Sequence, residues 1–214
     1  MAEYIPDGVE LVTAIGRPQM NDQKDLDITT ANTQKLPAFG TALKQDEDKF
    51  KTEQKRIDDM IDSGAPLHEI LSNLVLMIES QSPEMLCSIL LLSDDGNHVK
   101  HAVAPSLPEN YIKVIDGSPI GPKRGSCGTA MWRGKPVIVT DIATDPLWEE
   151  YRNFAWAIGM SACWSTPILS RKGKVLGSFA MYYRDKRGPN DSERSLTDIA
   201  TNLASRAIES KVTA

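Results

Sequence analysis

The chain has 214 residues and a net charge of −5, from 24 Lys and Arg against 29 Asp and Glu, with an isoelectric point near 5.3. No basic block stands out, which excludes nucleic acid as the expected partner. The apolar share of 41% and charged share of 25% fit a globular protein of one domain plus extensions, or two very small domains, and no apolar run nears the roughly 20 residues that cross a bilayer.

Residues 1–45 hold one short apolar piece, Val9 to Ile15, in polar surroundings broken by Pro6, Pro18 and Pro37. They are expected to form an N-terminal arm or the end of an upstream domain. From Asp46 the pattern turns helical. Phe50, Ile57, Met60 and Ile61 make a thin stripe on a charged cylinder, which suits a helix–helix seam. Residues 46–64 are therefore expected to be a charged signalling or dimerisation helix. Pro66 opens a second helix, and Leu67, Ile70, Leu71, Leu74, Val75 and Ile78 give it a broad apolar face.

Strands follow at 87–93 and 99–105, joined by the turn Asp94-Asp95-Gly96-Asn97. A short helix is predicted in 108–117 and another from Ser126. A third strand is predicted at 136–142. A helix then starts with Asp145 as cap and Pro146 in its first turn. A hairpin of 161–170 and 175–185 precedes the last helix. There Asn190 is the cap, and Glu193 reaches back to it. Hairpins with helices at both ends predict an α+β layer fold with an antiparallel sheet. The long excursion between the second strand and the last hairpin is placed to roof a cavity over one sheet face.

The three cysteines, Cys87, Cys127 and Cys163, are widely spaced, form no Cys-x-x-Cys pair and fit no disulfide framework. With an N-terminus lacking the cationic start and apolar run of a leader, the expectation is a cytoplasmic, reducing location. Cys127 lies in "GPKRGSCGTAMWRGKP" behind Lys123 and Arg124. If Ser126 caps a helix, the helix dipole and these cations favour the thiolate. The alternative is a small soft side chain packed where the loop meets the sheet.

Residues 66–210 resemble a GAF domain in order and pattern, most specifically across "GSCGTAMWRGKPVIVTDIATDP" and "YRNFAWAIGMSACWSTPILSRKGKVLGSFAMYY". The resemblance implies a GAF domain over 65–212. It also implies a six-stranded antiparallel sheet between helices, with a small-molecule pocket on one face and a sensory role, usually in bacterial signalling proteins. The form "SACWSTPI" is similar to that of multidomain sensors and stand-alone nitrate receptors. Free methionine-(R)-sulfoxide reductases share "GSCGTA", but their catalytic cysteine falls in a loop that holds no cysteine here. No cysteine is followed by histidine as in bilin-binding domains, and no histidine matches a haem-ligand position.

The chain is thus expected to be a non-enzymatic sensor without a cofactor, metal or catalytic residue. It would be a homodimer through its terminal helices and relay ligand occupancy to a partner or fused output domain. The candidate ligand-binding residues are Ser126, Cys127, Trp132, Leu147, Trp148, Trp164, Met181 and Tyr183. The amides near Ser126 and Cys127, and near Leu147 and Trp148, suit a small anion such as nitrate. The alternatives are a thiol-based redox sensor or methionine-(R)-sulfoxide-reductase-like enzyme using Cys127, and a dimerisation module whose cavity is filled by its own side chains.

Overall fold

The computed structural model describes residues 39–212. The expected arm lies outside them except for its last residues, which are already helical. Helix α1 runs Phe39–Asp62, so it begins ahead of Asp46. Helix α2, Leu67–Glu79, turns Ile70, Leu71, Leu74, Val75 and Ile78 inward, all fully buried, as the periodicity predicts. Helix α6, Asp191–Val212, completes this layer. Its first turn is the expected capping box: the Glu193 amide donates to Asn190 Oδ1 at 2.9 Å, and the Asn190 amide donates to Glu193 Oε2 at 2.8 Å.

The strands are β1 (Leu86–Leu92), β2 (Val99–Val103), β3 (Val137–Val139), β4 (Ala162–Leu169) and β5 (Val175–Tyr183). They form one antiparallel sheet in the order β2-β1-β5-β4-β3. The sheet has five strands, not the six expected. Beyond β2, residues 117–120 follow the free edge and exchange hydrogen bonds with Val99 and Asn97. They reach only an isolated bridge, His98 to Pro119. Pro119 has no N–H to donate, so the ladder does not extend.

Alternation along the strands sorts the core into two clusters. Cys87, Ile89, Trp164, Ile168, Phe179, Met181 and Tyr183 face α1, α2 and α6. Leu90, Val137, Val139, Cys163, Ala180 and Tyr182 face the other way. That second face is covered by α3 (Glu109–Ile115), α4 (Gly125–Arg133), a 3-10 turn (Pro146–Trp148) and α5 (Arg152–Ala157). The one helix expected after Asp145 is therefore two pieces. The Asp145 carboxylate does accept from the Leu147 amide at 2.8 Å. However, the next amides bond three residues back, Trp148 to the Asp145 carbonyl and Tyr151 to that of Trp148, a tighter winding that carries the Trp148 indole inward.

The thin stripe of α1 finds its seam within the chain. Ile57 is fully buried and Ile61 nearly so, in the cluster with α2 and α6. Arg206 of α6 pairs with Asp58 of α1, and Lys211 Nζ donates to the Gly64 carbonyl at 2.8 Å. The exposed pairs Lys55–Asp59 and Arg56–Glu53 on α1 add little stability. Among the described residues no helix is long and apolar enough to cross a membrane.

Candidate functional site

Helix α4 starts at Gly125, whose φ of +58° is the left-handed conformation that glycine adopts at little cost. The turn brings α4 down onto the sheet, where every residue from Gly125 to Met131 is buried. Ser126 does not cap this helix, as the sequence suggested; Arg124 holds the cap position and offers no side-chain cap. Ser126 lies inside the first turn and points to the sheet, donating from Oγ to the Cys163 carbonyl at 3.0 Å. The Trp148 indole N–H donates back to Ser126 Oγ at 3.0 Å. A buried hydroxyl with both a donor and an acceptor partner fixes the 3-10 turn, α4 and β4 against one another.

Between these elements lies a cavity of about 30 Å³, room for roughly two water-sized groups as it stands. Tyr111, Trp148, Tyr151 and Tyr182 are its aromatic walls, and residues 124–128 of the α4 start form one side. The Tyr111 and Tyr182 rings meet edge-on, 6.1 Å apart at 88°. Arg124 pairs with Glu150 at the edge. No side chain caps α4, whose first residues line this space, and an uncapped helix start favours negative charge.

Beneath Cys127 the sheet is small and polar. Cys163 and Ser165 of β4 share a face with Ser178, Ala180 and Tyr182 of β5 and Ser88 of β1, as the registers Cys163–Tyr182, Ser165–Ala180 and Ser88–Ala180 require. The Tyr182 hydroxyl lies 3.0 Å from Ser88 Oγ and 3.7 Å from Cys127 Sγ. Hydrogen bonding from the Cys163 thiol, against the opposing effect of burial, and from the Ser165, Tyr182 and Ser178 hydroxyls brings the Cys127 thiol down to about 7. Burial, together with the hydrogen bond and charge of Cys127, pushes the Cys163 thiol well up. The influences that favour the Cys127 thiolate are thus neighbouring hydroxyls and a thiol, where the sequence suggested the cations before it.

Of the residues singled out from sequence, Ser126, Cys127 and Trp148 line the cavity. Leu147 packs partly buried behind it. The amides of Leu147 and Trp148 are both taken up by Asp145, so they present nothing to an anion. Trp132 is 55% exposed on the outside of α4 and is no part of the cavity. Trp164, Met181 and Tyr183 lie on the opposite sheet face, among the terminal helices. The inward tyrosine is Tyr182, one position away along β5, since adjacent strand residues face opposite sides.

Trp164 and Tyr183 serve that other face. Their rings stack 4.6 Å apart under the Arg187 guanidinium. Arg187 makes a two-pronged pair with Glu193, at 2.8 and 3.0 Å, and the Tyr183 hydroxyl donates to Glu193 at 2.6 Å. Tyr111, Tyr151, Tyr182 and the three floor serines were not foreseen. For the floor, the available signal was the period-two run of small residues, Ser178 and Ala180, leading to Tyr182. Among the described residues no cluster of three or more His, Cys, Asp and Glu side chains could hold a metal ion.

The GAF domain family model matches residues 64–209. The methyl sulfide methyltransferase-associated sensor of Methanosarcina acetivorans is 40% identical over 156 residues, covering 73% of this chain and 16% of that protein. The chain thus spans about one sixth of the length of that relative. The solved GAF domain of a phosphoenolpyruvate-protein phosphotransferase from Coxiella burnetii superposes with a TM-score of 0.61 at 16% identity, over 77% of this chain and 95% of that one. A free methionine-R-sulfoxide reductase from Neisseria meningitidis, in complex with its substrate, gives 0.58 at 14% identity, over 77% and 90%. At these identities the two solved structures are likenesses of fold.

Proposed function

Because the chain belongs to the GAF domain family, we propose that it is a non-enzymatic sensory domain in signal transduction, binding a small molecule in the cavity under α4. The observation that carries the reading is the division of the sheet. One face holds a cavity walled by four aromatic rings and an uncapped helix start, and the other carries α1 and α6. A ligand at Tyr182 acts on a strand whose next residue, Tyr183, is bonded to the first turn of α6. Occupancy shifts the helices to the extent that the ligand binds two arrangements unequally. The helices relay that shift to a second copy, expected as a homodimer partner, and to a partner protein or fused output domain. A relative described as a sensor fits this reading.

The uncapped amides favour a small anion, such as nitrate, or a polar molecule with an anionic end. A ligand larger than the present space requires Tyr151 or Trp148 to move. The experiment is titration of the protein with nitrate, nitrite, amino acids and nucleotides, read by tryptophan fluorescence and thermal shift. One class should raise the melting temperature and change the fluorescence, and Trp148→Phe should abolish the fluorescence change. No response to any of them in either measurement overturns the proposal.

A second reading, thiol chemistry at Cys127, is favoured by one observation: Cys127 lines the cavity, with the Tyr182 hydroxyl 3.7 Å from its sulfur. A reductase of this kind would consume free methionine-(R)-sulfoxide in the presence of dithiothreitol. No turnover is the expected outcome, because Cys163 is fully buried within a strand rather than carried on a substrate-facing loop.

A further inference from the structure

Among the described residues that line the cavity under α4, Arg124 is the one that carries charge; the rest of the lining is aromatic, aliphatic or small. Its place is fixed from two sides. Its amide donates to Oγ1 of the fully buried Thr129 at 3.0 Å. Its stem runs between two glycines: a Cβ on Gly128 would stand 2.9 Å from Arg124 Cβ, and one on Gly121 would stand 3.2 Å from Arg124 Cγ. Neither glycine has a positive φ, so the close approach of the arginine, and not backbone freedom, is what requires them. A slot of this kind holds a cation at the cavity edge without spending its guanidinium.

The guanidinium is taken by Glu150, in the turn that leads into α5, between the cavity walls Trp148 and Tyr151 in sequence. The Glu150 side chain is 60% exposed and that of Arg124 33%. A pair in so much water holds weakly. An anion within the cavity is screened by less water, and a guanidinium holds it more strongly.

We propose that Arg124 recognises the anionic group of the cavity's ligand, a small oxyanion or a carboxylate, and that Glu150 is a built-in competitor for it. This rests on the reading of the cavity as a ligand site. Binding is an exchange of partners: the ligand's anion replaces the Glu150 carboxylate at the guanidinium, the carboxylate returns to water, and no covalent bond changes. Release of Glu150 frees the turn that carries Tyr151, so that wall can move outward and enlarge the present space of about 30 Å³. The competitor weakens apparent affinity in proportion to the time it occupies the arginine.

The test is calorimetric titration of the whole chain with sodium nitrate, sodium nitrite and sodium acetate, at constant ionic strength made up with sodium chloride. Arg124→Gln should weaken binding about tenfold or more. Glu150→Gln should tighten it about two- to sixfold, the weight of an exposed pair. Glu149→Gln makes the same charge change at an exposed neighbour and should leave affinity unaltered. Should Arg124→Gln fail to fold by circular dichroism, Glu150→Gln against Glu149→Gln decides alone. Equal affinities in the native chain and Glu150→Gln, or equal tightening by both glutamate variants, overturn the proposal and leave the sensory reading standing. So does a native chain that ignores all three salts yet binds an uncharged ligand. A native chain that binds no small molecule at all removes the sensory reading, and this proposal with it.

Discussion

Tyr182 and Tyr183 are consecutive in β5, and their hydroxyls serve opposite sides of the sheet. That of Tyr182 lies 3.0 Å from Ser88 Oγ beside Cys127, and that of Tyr183 donates to Glu193 at 2.6 Å in the first turn of α6. One peptide unit thus joins the cavity floor to a terminal helix. The pleat requires their opposition, and it makes β5 a one-residue covalent route between the two layers.

Tyr182→Phe tests the cavity end of that route. It removes a buried hydroxyl and leaves Ser88 Oγ without its partner, at a cost of about 1–3 kcal/mol. It also removes the hydroxyl 3.7 Å from Cys127 Sγ, one of the groups that lower the thiol, so the pH profile of iodoacetamide labelling at Cys127 should move upward. Urea denaturation gives the first quantity and labelling against pH the second. An unchanged labelling profile would show that the hydroxyl does not act on the sulfur.

Glu193→Gln tests the helical end. Burial opposes the Glu193 charge, but hydrogen bonds from Arg187, Tyr183 and the Asn190 amide outweigh it and hold the carboxyl below the usual glutamate range. A carboxyl depressed in the folded state contributes stability that is full above its unfolded pKa, about 4.3, and is lost as pH falls through the folded value. Glutamine keeps the reach to the Asn190 amide but loses the pairing with Arg187. The variant should be about 1–3 kcal/mol less stable at pH 7, with the gap to the native protein closing below about pH 4. Paired urea melts from pH 3 to 7 measure it.

Gly177→Ala tests the close approach of β5 to β1. A Cβ at this position would stand 2.2 Å from the Leu90 carbonyl oxygen, which is backbone and has no rotamer to retreat to. The expected loss is about 3 kcal/mol or more, or failure to accumulate as folded protein. Circular dichroism with a thermal melt decides it. A native-like melt would place the strands farther apart than found here.

Ile57→Ala tests whether α1 belongs to the folded unit of one chain. Ile57 is fully buried against α2 and α6, so truncation should cost about 2–5 kcal/mol. A cost near zero in a monomeric sample, measured by urea denaturation, would mean that α1 docks only in an assembly.

What was legible in the sequence was local. The Asn190–Glu193 box, the Asp145 cap, the face of α2 and the last hairpin each rest on a few neighbouring residues, and each is found in the fold. Which face of β5 meets the cavity was not legible. Alternation separates Tyr182 from Met181 and Tyr183, but only register with β1 and β4, and what covers each side, says which is which. The missing sixth strand turned on a single proline at the sheet edge. Ser126 was misread because a serine at the start of a helix caps it or faces inward according to where the left-handed turn falls, and here Gly125 takes that turn. The hydrogen bond from Ser126 Oγ to the Cys163 carbonyl joins a helix to a strand distant in sequence, and only folding brings the two together.

Arg206 with Asp58, and Lys211 with the Gly64 carbonyl, clasp the first and last helices together on the side away from the cavity. On the proposed sensory reading, detection and transmission are therefore assigned to side chains that hardly overlap. Substitutions at the clasp should leave unaltered how often the hollow is filled, while changing how strongly that event is felt outside the domain. Threshold and amplitude can drift independently in such a molecule, meeting along the strands of the sheet.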